Sequence, residues 1–367
     1  MKKNPEDIQI PSMKYRILII IFCLAALLCS VLICLNGFQK EPEPTPDPHA
    51  GQVYLYDGYD WTWFTPRENV PLNPLKKEDF TWTDGTPVYT GSGFTVRKGF
   101  DVSEFQYSID WSQVPAQNFD FVYLRMGRRG STEGGIFDDL YFDRNYSGAR
   151  SRGLDVGLYF FSQAISVEEA TEEANWVIDK LKNGGYRTDL PIAFDWEEQK
   201  TEDSRTKDLS GLTITDCAVA FCETIQAAGY EPCVYMNRIP AYYSFDISRL
   251  TNYKLWYALP CNPPEIIHPS FYYRFDIWQY STTATVPGIP TETDLNYFFE
   301  PIPGAFVEPT PFLGSASAPE AAGIPPEGQS NSGYAGQTLP AAVPAQTIPA
   351  QTTPAQSISG SITITIA

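Results

Sequence analysis

The hydrophobic pattern divides the chain into segments of different kinds. Residues 17–35 are uncharged and apolar throughout, about the length a helix needs to cross a bilayer. From residue 98 to about residue 303, short apolar runs alternate with longer stretches of helical period. The runs predict strands at 99–103, 119–126, 154–161, 191–196, 232–237, 254–259, 275–280 and 294–298. Apolar residues at helical spacing predict helices at 139–152, 167–181 and 214–228. Gly153, Gly184 and Gly229 fall just past their ends, where a left-handed cap costs least. Strand–helix alternation over this length implies a parallel sheet, and eight strands suggest a TIM-like β/α barrel. The last three strands are separated by stretches with little helical pattern, so an irregular barrel is expected.

The flanks read differently. Residues 1–16 are polar and carry Lys2, Lys3, Lys14 and Arg16. Positive charge ahead of an apolar span holds that end in the cytoplasm. The expected order is therefore a cytoplasmic segment (1–16), a transmembrane anchor (17–36) and an extracellular remainder. Secretion after signal cleavage is the alternative, although no Ala-x-Ala site follows the run. Residues 37–50 are rich in Pro and Glu and suit a semi-rigid linker. Residues 51–97 carry Trp61, Trp63, Phe64, Phe80, Trp82 and Tyr89, too many aromatics for a linker. They are expected to pack on the barrel domain (98–303), with a separate small module as the alternative. Pro, Ala, Ser, Thr and Gln dominate residues 304–367, and a five-residue repeat runs through Pro344, Pro349 and Pro354. Such a segment cannot bury a core and is expected to be a disordered tail.

Composition narrows the function. The 367 residues are 43% hydrophobic and only 19% charged, yet the net charge is −18. That argues against nucleic acid as a partner, because phosphates demand basic patches. Contact with a membrane is expected through the N-terminal helix only, and the domain is expected to be a monomer. There are two histidines, His49 and His268, which argues against zinc hydrolysis and Ser-His or Cys-His chemistry. No Gly-rich phosphate loop is present, so neither metal nor cofactor is expected. Seven cysteines include no Cys-x-x-Cys pair. Among Cys217, Cys222, Cys233 and Cys261, one disulfide and buried free thiols both remain open.

The chemistry centres on Pro191-Ile192-Ala193-Phe194-Asp195-Trp196-Glu197. On a strand, Asp195 and Glu197 share one face with small Ala193, while bulky Ile192, Phe194 and Trp196 share the other. Two carboxylates with Cα atoms ~6.5–7 Å apart repel each other. Catalysis can use this, because one carboxyl is pushed toward its protonated form while the other stays ionised. In parallel barrels the chemistry sits at the C-terminal strand ends. Those ends give Asp101 on the first strand, Asp195 and Glu197 on the fourth, Asn237 on the fifth and Tyr280 on the seventh. Asp294 opens the last strand, so this rule does not secure its place. Acids converging without histidine suit glycosidic-bond cleavage.

In these motifs the chain resembles family 25 glycoside hydrolases, the Chalaropsis-type lysozymes. The matching segments are Lys98-Gly99-Phe100-Asp101-Val102-Ser103 with Gln106, Ile109-Asp110-Trp111, Asn145-Tyr146-Ser147-Gly148-Ala149, residues 153–162, Asp195-Trp196-Glu197, Ile277-Trp278-Gln279-Tyr280 and Thr293-Asp294-Leu295-Asn296. The resemblance implies an irregular β/α barrel. It also implies cleavage of the β-1,4 bond between N-acetylmuramic acid and N-acetylglucosamine in peptidoglycan glycan strands. Glu197 would be the proton donor, with Asp195, Asp101 and Asp294 as the other acids. Tyr159, Gln106, Tyr235, Asn237, Trp278, Gln279 and Tyr280 are candidate sugar contacts. Two positions depart from the family pattern: Phe160, where many members carry His, and Tyr107, where Gly commonly follows the Gln. The Asp-x-Glu spacing is similar to that of family 18 chitinases, which favours participation by the substrate's N-acetyl group oriented by Asp195. Direct attack by an aspartate is the rival. The alternative function is a non-catalytic peptidoglycan-binding module.

Overall fold

The computed structural model describes residues 12–37, 47–57, 61–199, 201–263 and 266–305. The tail expected beyond residue 305 lies outside these, as do most of the first segment and much of the linker. Helix α1 (Met13–Gly37) is the one described helix long and apolar enough to cross a membrane. Two hairpins follow, β1 (Val53–Tyr56) with β2 (Trp61–Phe64) and β3 (Phe80–Thr83) with β4 (Thr86–Tyr89).

The barrel then begins. Its strands are β5 (Phe94–Val102), β6 (Phe121–Arg129), β8 (Asp155–Ser162), β9 (Ile192–Trp196), β10 (Pro232–Asn237), β11 (Lys254–Ala258), β12 (Ile277–Ala284) and β13 (Thr293–Pro301). Between them lie the edge strand β7 (Ile136–Asp138) and helices α2 (Phe142–Ser151), α3 (Val167–Gly184), α4 (Gly211–Ala227) and α5 (Arg238–Tyr243). Pairing of β5 with both β6 and β13 closes eight strands into a barrel.

Two expectations need correction. Strand β13 pairs antiparallel to both β12 and β5, so the sheet is not wholly parallel. The reason is length: residues 285–292 are too few for a parallel crossover, which takes roughly a dozen or more. The cap of α3 is Gly185, with φ 65°, rather than Gly184, which stays in the helix.

Alternation along the strands sorts the core. Phe121, Tyr123, Trp256, Ile277 and Phe298 fill the barrel's interior, while Phe100, Phe160, Phe194 and Trp278 pack outside it. Gly99 and Gly157 make room for the interior rings. A Cβ on either would come within 2.3 Å of Phe121 or 2.5 Å of Tyr123. The interior is thus plugged by aromatic rings and turns polar only toward the C-terminal ends of the parallel strands.

The segment before β5 covers part of the outside. Phe80 meets Trp278 edge-on at 5.6 Å, and the Tyr297 hydroxyl donates to Pro87 O at 2.6 Å. Trp278 is fully buried there, and its Nε1 donates to Leu259 O at 2.8 Å. Trp278→Phe leaves that carbonyl unpaired and should cost about 2–3 kcal/mol of stability, read by denaturant unfolding.

Candidate active site

Period two places Asp195 inside the barrel and Phe194 and Trp196 outside, as their opposite packing requires. Asp101 is the last inward-facing residue of β5, one before its end at Val102. Because β13 runs against β5, its first residues reach the same end, and Asp294 pairs directly with Asp101. The antiparallel closure therefore brings Asp294 to the mouth. Glu197 follows β9 immediately and is half-buried, as is Asp294, whereas Asp101 and Asp195 are buried.

Amide side chains hold the acids apart. Gln279 Nε2 donates to Asp101 Oδ2 at 3.0 Å and to Asp294 Oδ2 at 3.1 Å. One NH₂ group thus bridges two carboxyls that would otherwise repel across the ladder. Asn296 Nδ2 donates to Asp101 Oδ2 at 2.8 Å, and Trp256 Nε1 fixes Asn296 by donating to its Oδ1 at 2.9 Å. The Tyr235 hydroxyl donates to Gln279 Oε1 at 3.0 Å and approaches Asn237 Oδ1 at 3.5 Å. Asp195 is different: its Oδ1 is buried and has no hydrogen-bond partner in the protein.

Proton affinities follow from these surroundings. Burial raises Asp101 to about 6, opposed by the donors Asn296 and Gln279. Burial, then Asp101, raises Glu197 to about 7. Burial, then Asp101 and Glu197, raises Asp294 to about 9. Asp195 is pushed well up by burial and by Glu197 and Asp101, with Arg125 opposing. The sequence suggested that Asp195 and Glu197 would split, one neutral and one ionised. Instead both rise, and the lowest value among Asp101, Glu197 and Asp294, about 6, belongs to Asp101. The cause is donor supply: Asp101 accepts two amide hydrogen bonds, while Asp195 Oδ1 accepts none.

Arg125 lies on the same inward face and pairs with Asp139, its Nε 2.9 Å from Oδ2, and with Glu104, its Nη2 2.9 Å from Oε1. It acts on Asp195 only at longer range. The histidines lie elsewhere: His49 stacks on Trp63 at 3.9 Å, and His268 has Lys77, Glu78 and Arg238 as charged neighbours. Among the described residues, no group of three His, Cys, Asp or Glu side chains is disposed to hold a metal ion. Cys217, Cys222, Cys233 and Cys261 are free thiols.

Of the candidate sugar contacts, Tyr159, Tyr235, Asn237 and Gln279 surround the acids or line the interior beneath them. Trp278 and Tyr280 do not. With Gln279 facing in, both neighbours must face out, and Tyr280 stacks on Tyr297 at 4.5 Å. Gln106 is consumed by its own loop, accepting from Ser103 N and donating to Glu292 O. Phe160 also faces outward, 5.5 Å from Trp176 of α3, so the departure there does not touch the mouth. Asn296 and Trp256 belong to the site but were missed. The signal for Asn296 was its period-two offset from Asp294.

The profile of glycosyl hydrolases family 25 matches residues 100–289. The chain is 25% identical over 202 residues to YegX of Escherichia coli, an uncharacterised protein, covering 54% of this chain and 68% of that one. It is 25% identical over 210 residues to lysozyme M1 of Streptomyces globisporus, covering 55% and 67%. Among solved structures, the modular autolysin LytC of Streptococcus pneumoniae in complex with a synthetic peptidoglycan ligand superposes with a TM-score of 0.50 at 21% identity. That match covers 60% of this chain and 52% of the autolysin, so the chain spans about half of that protein's length. At such identity it speaks to the fold alone.

Proposed function

Since the chain belongs to glycosyl hydrolase family 25, we propose that it is a cell-wall hydrolase cleaving the β-1,4 bond between N-acetylmuramic acid and N-acetylglucosamine. The observation that carries this reading is the cluster of four carboxyl groups at one end of the barrel, with proton affinities raised to different degrees.

Glu197, neutral below about pH 7, gives its proton to the glycosidic oxygen as the bond to the anomeric carbon breaks. The N-acetyl oxygen on the same sugar attacks that carbon, closing an oxazolinium ring. Asp195 Oδ1, without a partner in the protein, accepts the acetamide N–H and orients it. Asp101, the most readily ionised of the four, stabilises the positive charge. Water then attacks the anomeric carbon, returning its proton to Glu197. Asp294, held neutral to about pH 9, serves as a hydrogen-bond donor to a sugar hydroxyl. Tyr159, Tyr235, Asn237 and Gln279 shape the cleft. Helix α1 would tether the enzyme on the outer side of a membrane, with Lys14 and Arg16 on the inner side.

Incubating the protein with purified peptidoglycan tests this. Release of fragments with muramic acid at the new reducing end is expected. Glucosamine there, or no release, overturns the assignment. The pH profile is a second check. Asp101 must be ionised and Glu197 protonated, so kcat/KM should rise through about pH 6 and fall through about pH 7. A rate still climbing above pH 8 would exclude Glu197 as the acid.

A further inference from the structure

The turn after β5 holds a tyrosine where the backbone favours glycine. Tyr107 has φ 54° and ψ −144°, a combination that side chains with a Cβ resist. The loop's own bonds impose it. Ser103 N donates to Gln106 Oε1 at 2.9 Å, Tyr107 N donates to Glu104 O at 3.0 Å, and Gln106 Nε2 reaches Glu292 O at 3.3 Å. The tyrosine ring returns little to the fold, since Tyr107 is 60% exposed. Phe105, two residues earlier, is 61% exposed and packs on the Arg125 guanidinium 4.9 Å from its centroid. Arg125 is the cation that opposes the raised proton affinity of Asp195. Two exposed aromatic rings therefore stand on the loop after β5, one of them over Arg125, and that loop is tied to Glu292, two residues before Asp294. Strain kept at the edge of a functional site, with no packing to offset it, points to a ligand.

We propose that Phe105 and Tyr107 form a stacking platform for a sugar ring of the glycan strand beyond the cleaved linkage. A β-1,4-linked sugar presents a flat C–H face to such rings, and both stand exposed on the loop that follows the Asp101 strand. The inference rests on reading the mouth as a glycan cleft, and its test is independent of turnover.

In the inactive Glu197→Gln background, binding to purified sacculi is measured by cosedimentation with and without Tyr107→Gly. The affinity should fall roughly 3- to 10-fold, while relief of the backbone raises Tm by about 2–4 °C. Phe105→Leu, which keeps an apolar cover on Arg125 but loses the flat face, should weaken binding in the same direction. In the active enzyme, Tyr107→Gly should raise half-saturation on long strands more than on a short soluble fragment. Undiminished wall binding in both variants overturns the proposal. So does a lowered Tm in Tyr107→Gly, which would make the ring a packing element. Loss of self-association in place of wall binding would assign the surface to a second copy of the chain and overturn it too. Should the active enzyme release no fragments, the hydrolase reading fails while the cosedimentation result still decides the platform.

Discussion

Glu197→Gln should lower peptidoglycan hydrolysis on the order of 10³- to 10⁴-fold while leaving the fold intact. The substitution keeps shape and volume but removes the proton that the proposed mechanism delivers to the leaving oxygen. Its effect on stability separates lost chemistry from lost structure, and the sign can be worked out. Glu197 rises from 4.5 to about 7 on folding, because burial and Asp101 both disfavour its charge. A carboxyl raised in this way binds its proton more tightly in the folded state. Stability is therefore greatest below the unfolded value and declines as pH rises from about 4.5 through about 7. Glutamine carries no such penalty. At pH 8 the variant should melt no lower than the parent, and at pH 4 the two should coincide. Activity within tenfold of the parent would remove Glu197 from the role of acid. A melt collapsed at every pH would instead make the side chain structural.

The same linkage explains why the mouth stores instability. Four carboxyls are drawn from water around one cleft, and each is pushed toward its neutral form. The rest of the barrel tolerates this because its interior below the acids is filled by Phe121, Tyr123, Trp256 and Phe298. Rigid aromatic filling under a polar rim fixes the acids without hydrating them. The amides of Gln279 and Asn296 then decide which acid gives up its proton first.

Much of this was legible in the residues, wherever one face of a strand was unambiguous. Ile192, Phe194 and Trp196 are bulky and apolar together, so the inward turn of Asp195 followed directly. The same rule applied to Ile277-Trp278-Gln279-Tyr280 would have kept Trp278 and Tyr280 out of the cleft once Gln279 was placed inside. Aromatic content obscured that alternation, because rings serve both sugars and cores. Asp294 was harder. Its position depends on β13 running antiparallel, which is a consequence of the short connection from β12 rather than of any residue in the strand. The aromatics of residues 51–97 signalled that this segment packs on the barrel, but not that Phe80 and Pro87 meet Trp278 and Tyr297. That packing joins residues far apart in the chain through one ring contact and one hydrogen bond from a hydroxyl to a backbone carbonyl. The unequal proton affinities were invisible for a similar reason, since they arise from donors on strands β12 and β13 meeting an acid on β5.

Asp195→Asn should reduce kcat by roughly 10²- to 10³-fold with little change in half-saturation. The carboxyl is inward, buried and lacks a partner at Oδ1, and the proposed mechanism has it act when the substrate's acetamide swings against it. An asparagine can turn an N–H instead of a carbonyl toward the acetamide, so it holds the acceptor in place less surely than the carboxyl does. Two substrates distinguish this from direct attack by the aspartate. If the acetamide is the nucleophile, glycan whose muramic acid lacks its N-acetyl group should resist the parent enzyme about as strongly as normal glycan resists Asp195→Asn. If the carboxylate attacks instead, the deacetylated glycan should still be cut by the parent, and Asp195→Asn should be inactive on both. A slow covalent glycosyl–enzyme adduct at residue 195, seen by mass spectrometry of the intact protein, would decide for the second route and remove the orienting role assigned to Asp195.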